Sequence, residues 1–257
     1  MIAIVYNQIL KPETELPVQE AVTHIEKAGH TVVVNPKDFK RDINAVVVYG
    51  GDGLLLHTAN RVAQHKKPLL GINYGKVGYL CKVQPKDHLT AIDRILDNSF
   101  KLEKRARIQA RINFKKTIDA LNEISIGGIN RTVSLNMTTD MLQVKRLVAI
   151  GDGIMFATST GSTAYNVNAG GSVLLSDDVM SIVANNSIFQ SDTLPVNTKS
   201  LVVPLSTINR IHIGILNKNK NNIPFIVADG QRTIKLKKDD VIEIARSIYN
   251  TFFVTFD

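Results

Sequence analysis

The chain has 257 residues, and at about 150 residues per domain that length predicts one or two domains with room for a full apolar core. Its 31 Lys and Arg stand against 23 Asp and Glu, for a formal charge of +8, and 44% apolar with 21% charged residues is a globular composition that excludes a disordered chain. A single cysteine, Cys81, excludes an intrachain disulfide and a four-cysteine zinc site, and no apolar run reaches the ~20 residues of a membrane-spanning helix.

The opening string MIAIVYNQIL has no basic stretch ahead of its short apolar run, so it does not read as a secretory signal. The expectation is a cytoplasmic protein in a reducing compartment. The positive charge suits a polyanion, or simply a solvated basic surface. With no Trp and no basic stripe interleaved with aromatics, nucleic acid is not expected as a partner, and the strings TGSTAY at 160–165 and Asn122-Glu123 speak against a membrane.

Residues 2–6 are an apolar β-branched run of the kind buried on both faces of a sheet. Residues 18–29 have helical spacing, with Val18, Val22 and Ile25 on one stripe and Gly29 as the stop. Strands are predicted at 31–34, 45–49 and 68–72, and helices at 54–63 and 86–96, the last entered through Pro85. This alternation predicts an α/β domain over residues 1–100, with a Rossmann-like parallel sheet. At 105–114 the pattern becomes RARIQARINF, polar at odd and apolar at even positions, which is a half-buried antiparallel strand. Further strands are predicted at 120–126, 144–150, 154–157, 201–204, 210–215, 224–227, 233–236 and 241–245, with one helix at 176–183. Residues 101–257 therefore read as a β-rich domain, with 251–256 a candidate strand returning to the first. The string NKNKNN at 217–222 reads as a solvated turn.

Gly50-Gly51-Asp52-Gly53 joins a strand to a helix. Its glycines allow close approach of a ligand, and the helix N-terminus suits phosphate. Asp52 then serves a cation or accepts a proton from a substrate hydroxyl; the other reading is a tight turn with Asp52 as N-cap. His57, about one helical turn on, faces the same anion or faces solvent. In 151–172, GDGIMFATSTGSTAYNVNAGGS, five hydroxyls crowd into 158–163. They offer a surface for phosphate and sugar oxygens, with a helix starting near 163–166 and the Tyr165 ring against a base or ribose; a polar loop accounts for the same residues. Asn122-Glu123 suits a vicinal diol or a solvated strand edge, and Asp229-Gly230 reads as a hairpin turn beside Gln231.

Together these strings resemble the NAD kinase family. The resemblance is carried by Gly50-Gly51-Asp52-Gly53, Gly71-Ile72-Asn73 with Gly75 and Gly78-Tyr79-Leu80, Leu121-Asn122-Glu123, Gly151-Asp152-Gly153, and ATSTGSTAY at 157–165 with Ala169-Gly170-Gly171. It implies the two-domain NAD kinase-like fold with a cleft between the domains. It also implies transfer of the terminal phosphoryl of ATP, or of polyphosphate, to the 2′-hydroxyl of the adenosine ribose of NAD, forming NADP with Mg²⁺ or another divalent cation. The resemblance makes Asp52 the general base and sets Gly50, Gly51 and Gly53 against phosphates. Asn122 and Glu123 hold ribose hydroxyls. Asn73, Thr160, Gly161, Ser162, Thr163, Ala164, Tyr165 and Asn168 line the nucleotide site, Tyr79 lies near the adenine, Asp152 pairs with the nicotinamide end or an adjacent nucleotide, and His57 and Gln231 are further candidates. A homodimer or homotetramer is implied. The chain departs from the family's usual residues at Leu54, Ile150, Ser159, Ser172 and 187–192. Two other readings share parts of the pattern: a lipid kinase of the diacylglycerol kinase type, and a non-catalytic NAD(H)-binding sensor.

Overall fold

A computed structural model of the chain describes residues 1–7, 9–39, 42–128, 133–140, 147–186, 188–190, 198–214 and 224–256. Two compact units emerge: Met1–Arg105 with Tyr249–Asp257, and Ala106–Ile248.

The first unit is built from β1 (Ile2–Tyr6), α1 (Glu15–Lys27), β2 (Val32–Val34), β3 (Ala45–Gly50), α2 (Asp52–Val62), β4 (Pro68–Asn73) and α3 (His88–Leu96). The strands lie parallel in the order β2-β1-β3-β4, with Ile4 opposite Val47 and Val48 opposite Gly71. The returning C-terminal segment extends the sheet, also in parallel, with Phe252 opposite Pro68 and Phe253 opposite Leu69. All six residues of β3 are buried, as a central strand covered on both faces requires. Val18, Ala21 and Ile25 of α1 join Val47, Ile72 and Ile92 in one apolar cluster. Each fully buried Val or Ile side chain of this kind contributes about 1.5–3 kcal/mol.

Three helix starts differ from the sequence expectation: α3 begins at His88 rather than 86, after a 3-10 turn at Pro85–Asp87, and α1 and α2 begin earlier than expected. Helix α1 begins at Glu15 rather than 18, because Pro17 fits the first turn, where a missing N–H costs nothing. It ends at Lys27, and Gly29 turns the chain with φ +81°. Helix α2 begins at Asp52 rather than 54, and Gly51, in extended backbone, is its N-cap. Asp52 is therefore not the N-cap; the Leu54 and Leu55 N–H groups donate to the Gly51 carbonyl at 3.1 and 3.2 Å.

The second unit contains β5 (Lys101–Ile112, its first residues in the first unit), β6 (Lys116–Ala120), β7 (Glu123–Gly128), β8 (Val133–Thr139), β9 (Leu147–Gly151), β10 (Gly153–Ala157), α4 (Ser159–Ser162), α5 (Tyr165–Asn168), β11 (Val179–Asn185), β12 (Phe189–Gln190), β13 (Ser200–Pro204), β14 (Asn209–Gly214), β15 (Pro224–Ala228), β16 (Arg232–Lys235) and β17 (Val241–Thr255, which runs on into the first unit). One antiparallel sheet has the order β13-β11-β10-β7-β15-β16, and the other runs β12-β9-β8-β14-β17, with β5 paired to β17 and β6. Their inner faces share one core that includes Ile108, Ile126, Met137, Phe156, Ile182 and Ile244.

The helix expected at 176–183 is absent: Val179–Asn185 is strand β11, paired with β10 and β13. Its middle residues are buried on both faces, which erases the alternation that marks a strand. The single strand expected at 120–126 is interrupted at Leu121 and Asn122 and becomes the end of β6 and the start of β7. The helix expected to start near 163–166 is instead two short pieces, α4 and α5. Strands β6, β8 and β12 carried no sequence expectation of their own. Expectations that fall on 144–146, 187, 191–192, 215 and 217–222 lie outside the described residues.

Candidate active site

In the first unit, the fully buried β3 delivers Gly50 and Gly51 to the N-terminus of α2. Aligned helix dipoles and N–H groups at such an end attract anions. The segment after β4 packs on this turn. The Tyr74 N–H donates to the Gly50 carbonyl at 3.0 Å, and a Cβ on Gly75 would stand 3.1 Å from the Gly51 Cα. Asn73 shapes that segment: its Oδ1 accepts from the Gly75 N–H at 2.9 Å, and Gly78, at φ +76°, leaves room for its amide.

The Asp52 carboxylate turns away from its own helix. Its Oδ2 accepts from the Tyr79 N–H at 2.8 Å, and its Oδ1 accepts from the Leu80 and Cys81 N–H groups, both at 3.0 Å. A carboxylate offers about four acceptor positions; the three N–H groups take three of them, and the Cys81 thiol, a weak donor, also hydrogen-bonds to Asp52. The Cys81 thiol beneath it is buried, and that burial, reinforced by Asp52, keeps it protonated. Tyr79 thus reaches the site through its N–H, while its ring is 64% exposed. His57 stands on the exposed face of α2, apart from this hydrogen-bonded set.

In the second unit the polar loops converge on residues 121–123. The Thr158 N–H donates to the Asn122 carbonyl at 2.9 Å, and the Thr158 hydroxyl donates to the Leu121 carbonyl at 2.6 Å. That hydroxyl also caps α4 by accepting from the Gly161 N–H at 3.2 Å. The Asp229 carboxylate accepts the N–H groups of Leu121, Asn122 and Glu123. Three buried oxygens in this cluster have no hydrogen-bond partner: Asn122 Oδ1, Glu123 Oε2 and Thr160 Oγ1. Each such group costs about 1–3 kcal/mol until a partner arrives. Burial first, then the charge of Asp229, pushes the Glu123 carboxyl up to about 7.

The hydroxyl-rich string divides its labour. Thr158 and Ser162 are spent inside the fold: the Ser162 hydroxyl donates to the Ser159 carbonyl at 2.7 Å and accepts from the Leu174 N–H at 3.0 Å. Ser159 donates to Asp177. Asn166 is buried, its amide donating to the Ser162 and Ser172 carbonyls. Thr163, Tyr165 and Asn168 are exposed beside the cluster, and Ala164 is half-buried. Gln231 is exposed on the same hairpin as Asp229. Asp152 is elsewhere. It precedes β10, whereas Thr158 follows it, so the length of that strand, roughly 16 Å, separates it from Asn122 and Glu123. It accepts from the Asn186 amide at 2.6 Å.

Sequence reasoning did not select Asp229, or the N–H groups of 79–81. An Asp-Gly pair signals a turn whatever its carboxylate does, and backbone donors have no residue signature. Among the described residues no group of three or more His, Cys, Asp or Glu is placed to hold a metal ion, and no helix is long and apolar enough to cross a membrane.

In the first unit, a helix end with a carboxylate held beside it suits phosphate; in the second, buried polar oxygens beside a hydroxyl-rich turn suit partners that donate and accept hydrogen bonds. Residues 2–100 match the family model of the ATP-NAD kinase N-terminal domain, and residues 123–256 that of the C-terminal domain. The NAD kinase of Clostridium botulinum (strain Loch Maree / Type A3) is 32% identical over 225 residues, 84% of this chain and 74% of that protein. That of Methanopyrus kandleri is 28% identical over 87% of this chain and 76% of its own length. The fold is similar to a crystal structure of an NAD kinase from Archaeoglobus fulgidus in complex with ATP, at 21% identity, TM-score 0.78 and coverage of 100% and 94% of the two chains. It is also similar to yeast NADH kinase complexed with NADH, at 22% identity, TM-score 0.82 and coverage of 99% and 82%. The chain belongs to the NAD kinase family and is an enzyme, a kinase acting on NAD.

Proposed function

We propose that the chain transfers the terminal phosphoryl of ATP to the 2′-hydroxyl of the adenosine ribose of NAD, forming NADP, with Asp52 as the general base. The observation that carries this reading is the Asp52 carboxylate itself. Three backbone N–H groups fix it at the N-terminus of α2, and its other donor is the Cys81 thiol, weak enough for a substrate hydroxyl to displace. A ribose hydroxyl is a poor nucleophile, and a positioned base contributes about 10²–10⁴-fold. The turn at 50–53 receives phosphate oxygens, whose charge the helix dipole and backbone donors offset. Asn122 Oδ1, Glu123 Oε2 and Thr160 Oγ1 take the sugar, which supplies the partners they lack. Thr163, Ala164, Tyr165 and Asn168 border the nucleotide beyond it.

Mg²⁺ is commonly held by substrate phosphates with one or two carboxylates, and it would enter with the donor to neutralise charge there. ATP rather than polyphosphate is the donor on this reading, and the active form is a homodimer or homotetramer. One assay tests the activity: ATP, NAD and Mg²⁺ with the purified chain, reading NADP through an NADP-specific dehydrogenase. NADP formed in proportion to enzyme supports the reading; none with ATP or polyphosphate at any Mg²⁺ concentration contradicts it.

A further inference from the structure

Asp229 stands at the tip of the β15–β16 hairpin with φ +53°, followed by Gly230 at +64°, and the Gln231 N–H closes the turn on the Ala228 carbonyl at 3.1 Å. A turn of this shape asks only for residues that tolerate positive φ, and Asn or Gly meets that need equally. The Asp229 side chain, however, is only 5% exposed, and both its oxygens are engaged. Oδ2 accepts from the Leu121 N–H at 2.9 Å, and Oδ1 accepts from the Asn122 and Glu123 N–H groups at 2.7 and 3.2 Å. The Asp229 N–H returns a bond to the Glu123 carbonyl at 2.9 Å. One side chain thus binds three consecutive peptide groups at the break between β6 and β7, from which the unpartnered oxygens of Asn122 and Glu123 project.

We infer that Asp229 is a positioning residue for the nucleotide site, acting through the backbone of residues 121–123 on the side chains of Asn122 and Glu123. The inference rests on the function proposed above, in which those two side chains hold the ribose. Charge points the same way. The Glu123 carboxyl is raised to about 7, by burial first and then by Asp229. The other charged groups around this loop are Arg107 of β5, Asp119 of β6 and Arg232 of β16. Arg107 Nε lies 3.9 Å from Asp119 Oδ1, and Arg232 donates to the Asp119 carbonyl. A protonated carboxyl both donates and accepts, which matches a vicinal diol, whereas the ionised form only accepts. Asp229 therefore acts on the direction of the Glu123 carboxyl and on the pH at which its role changes.

The test is calorimetric titration of the purified full chain with NAD from about pH 5.5 to 8.5, for wild type, Asp229→Asn and Asp229→Ala. NADP formation by wild type is measured alongside. Wild-type affinity is expected to change with a midpoint near 7. Asp229→Asn is expected to weaken NAD binding about tenfold at neutral pH, through lost charge-assisted bonds, and to move the midpoint down by about one unit. If Asp229→Ala does not fold, Asp229→Asn, which keeps the shape and one acceptor oxygen, decides alone. Binding within about twofold of wild type, or weaker binding with an unmoved midpoint, overturns the inference. Wild type that binds NAD yet forms no NADP contradicts the proposed function instead, and leaves the Asp229 comparison readable.

Discussion

Gly161 lies directly against the carbonyl of Asn122: a Cβ at 161 would stand 2.1 Å from that oxygen. The neighbour is backbone, so no rotamer relieves the clash. Gly161→Ala must move the 158–163 turn away from residues 121–123, and overpacking of this kind costs about 1–3 kcal/mol. The expected outcome is a lower thermal midpoint together with NAD affinity reduced about tenfold or more. Calorimetry on the folded variant separates the two effects.

Thr158 ties the same two segments from the other side. Its hydroxyl donates to the Leu121 carbonyl and accepts from the Gly161 N–H. Thr158→Val keeps the shape and loses both bonds, leaving polar groups buried. A loss of about 1–2 kcal/mol in denaturant unfolding is expected, and Thr158→Ser is expected to recover most of it.

The strands expected at 45–49 and 68–72 were legible because a short apolar run, β-branched in the first case and opened by Pro68 in the second, is bounded by turn residues and too short for a helix. The alternation at 105–114 was legible from local pattern too. The break at Leu121 was not. Leu121 is apolar and fully buried, so the strand pattern runs straight through it. What stops the strand is the Asp229 carboxylate, more than a hundred residues away. Residues 176–183 read as a helix because burial of strand Val179–Asn185 on both faces leaves no period to follow. The site shows the same division. Asp52 was visible from its glycines, while the donors that fix it belong to the backbone of 79–81. The five hydroxyls of 158–163 looked equivalent in sequence, and only packing assigns Thr158, Ser159 and Ser162 to the fold and leaves the Thr160 oxygen open.

Glu123 gives stability a definite dependence on pH. Its folded value near 7 lies above the model-peptide value of 4.5, so the folded state binds more protons between them. Its contribution is whole below pH 4.5 and declines as pH rises through about 7. Full ionisation costs at most about 3 kcal/mol. Glu123→Gln is therefore expected to be more stable than wild type at alkaline pH and to bind NAD less well. Urea unfolding of both proteins across this range checks it; parallel stability curves contradict it.

His88 has the opposite sign. It is buried, its Nδ1 lies 3.0 Å from the Tyr49 hydroxyl, and its Nε2 lies 3.7 Å from Glu20. Burial is the largest influence and pulls its value below 6.5, against the attraction of Glu20. The unfolded chain then binds a proton that the folded chain resists. Stability is whole above pH 6.5 and falls as the solution is acidified. His88→Gln, which retains a partner for Tyr49 and does not titrate, is expected to flatten that acid limb in urea unfolding.

The turnover of Asp52→Asn bears most directly on the role of the held carboxylate. The amide oxygen can still accept from the Leu80 and Cys81 N–H groups while the bond from the Tyr79 N–H is lost, so a folded protein with NAD binding weakened by no more than about tenfold is expected. The variant lacks a base, and NADP formation is expected to fall by about 10²–10⁴-fold. Near wild-type turnover by a folded, NAD-binding Asp52→Asn enzyme would contradict the account.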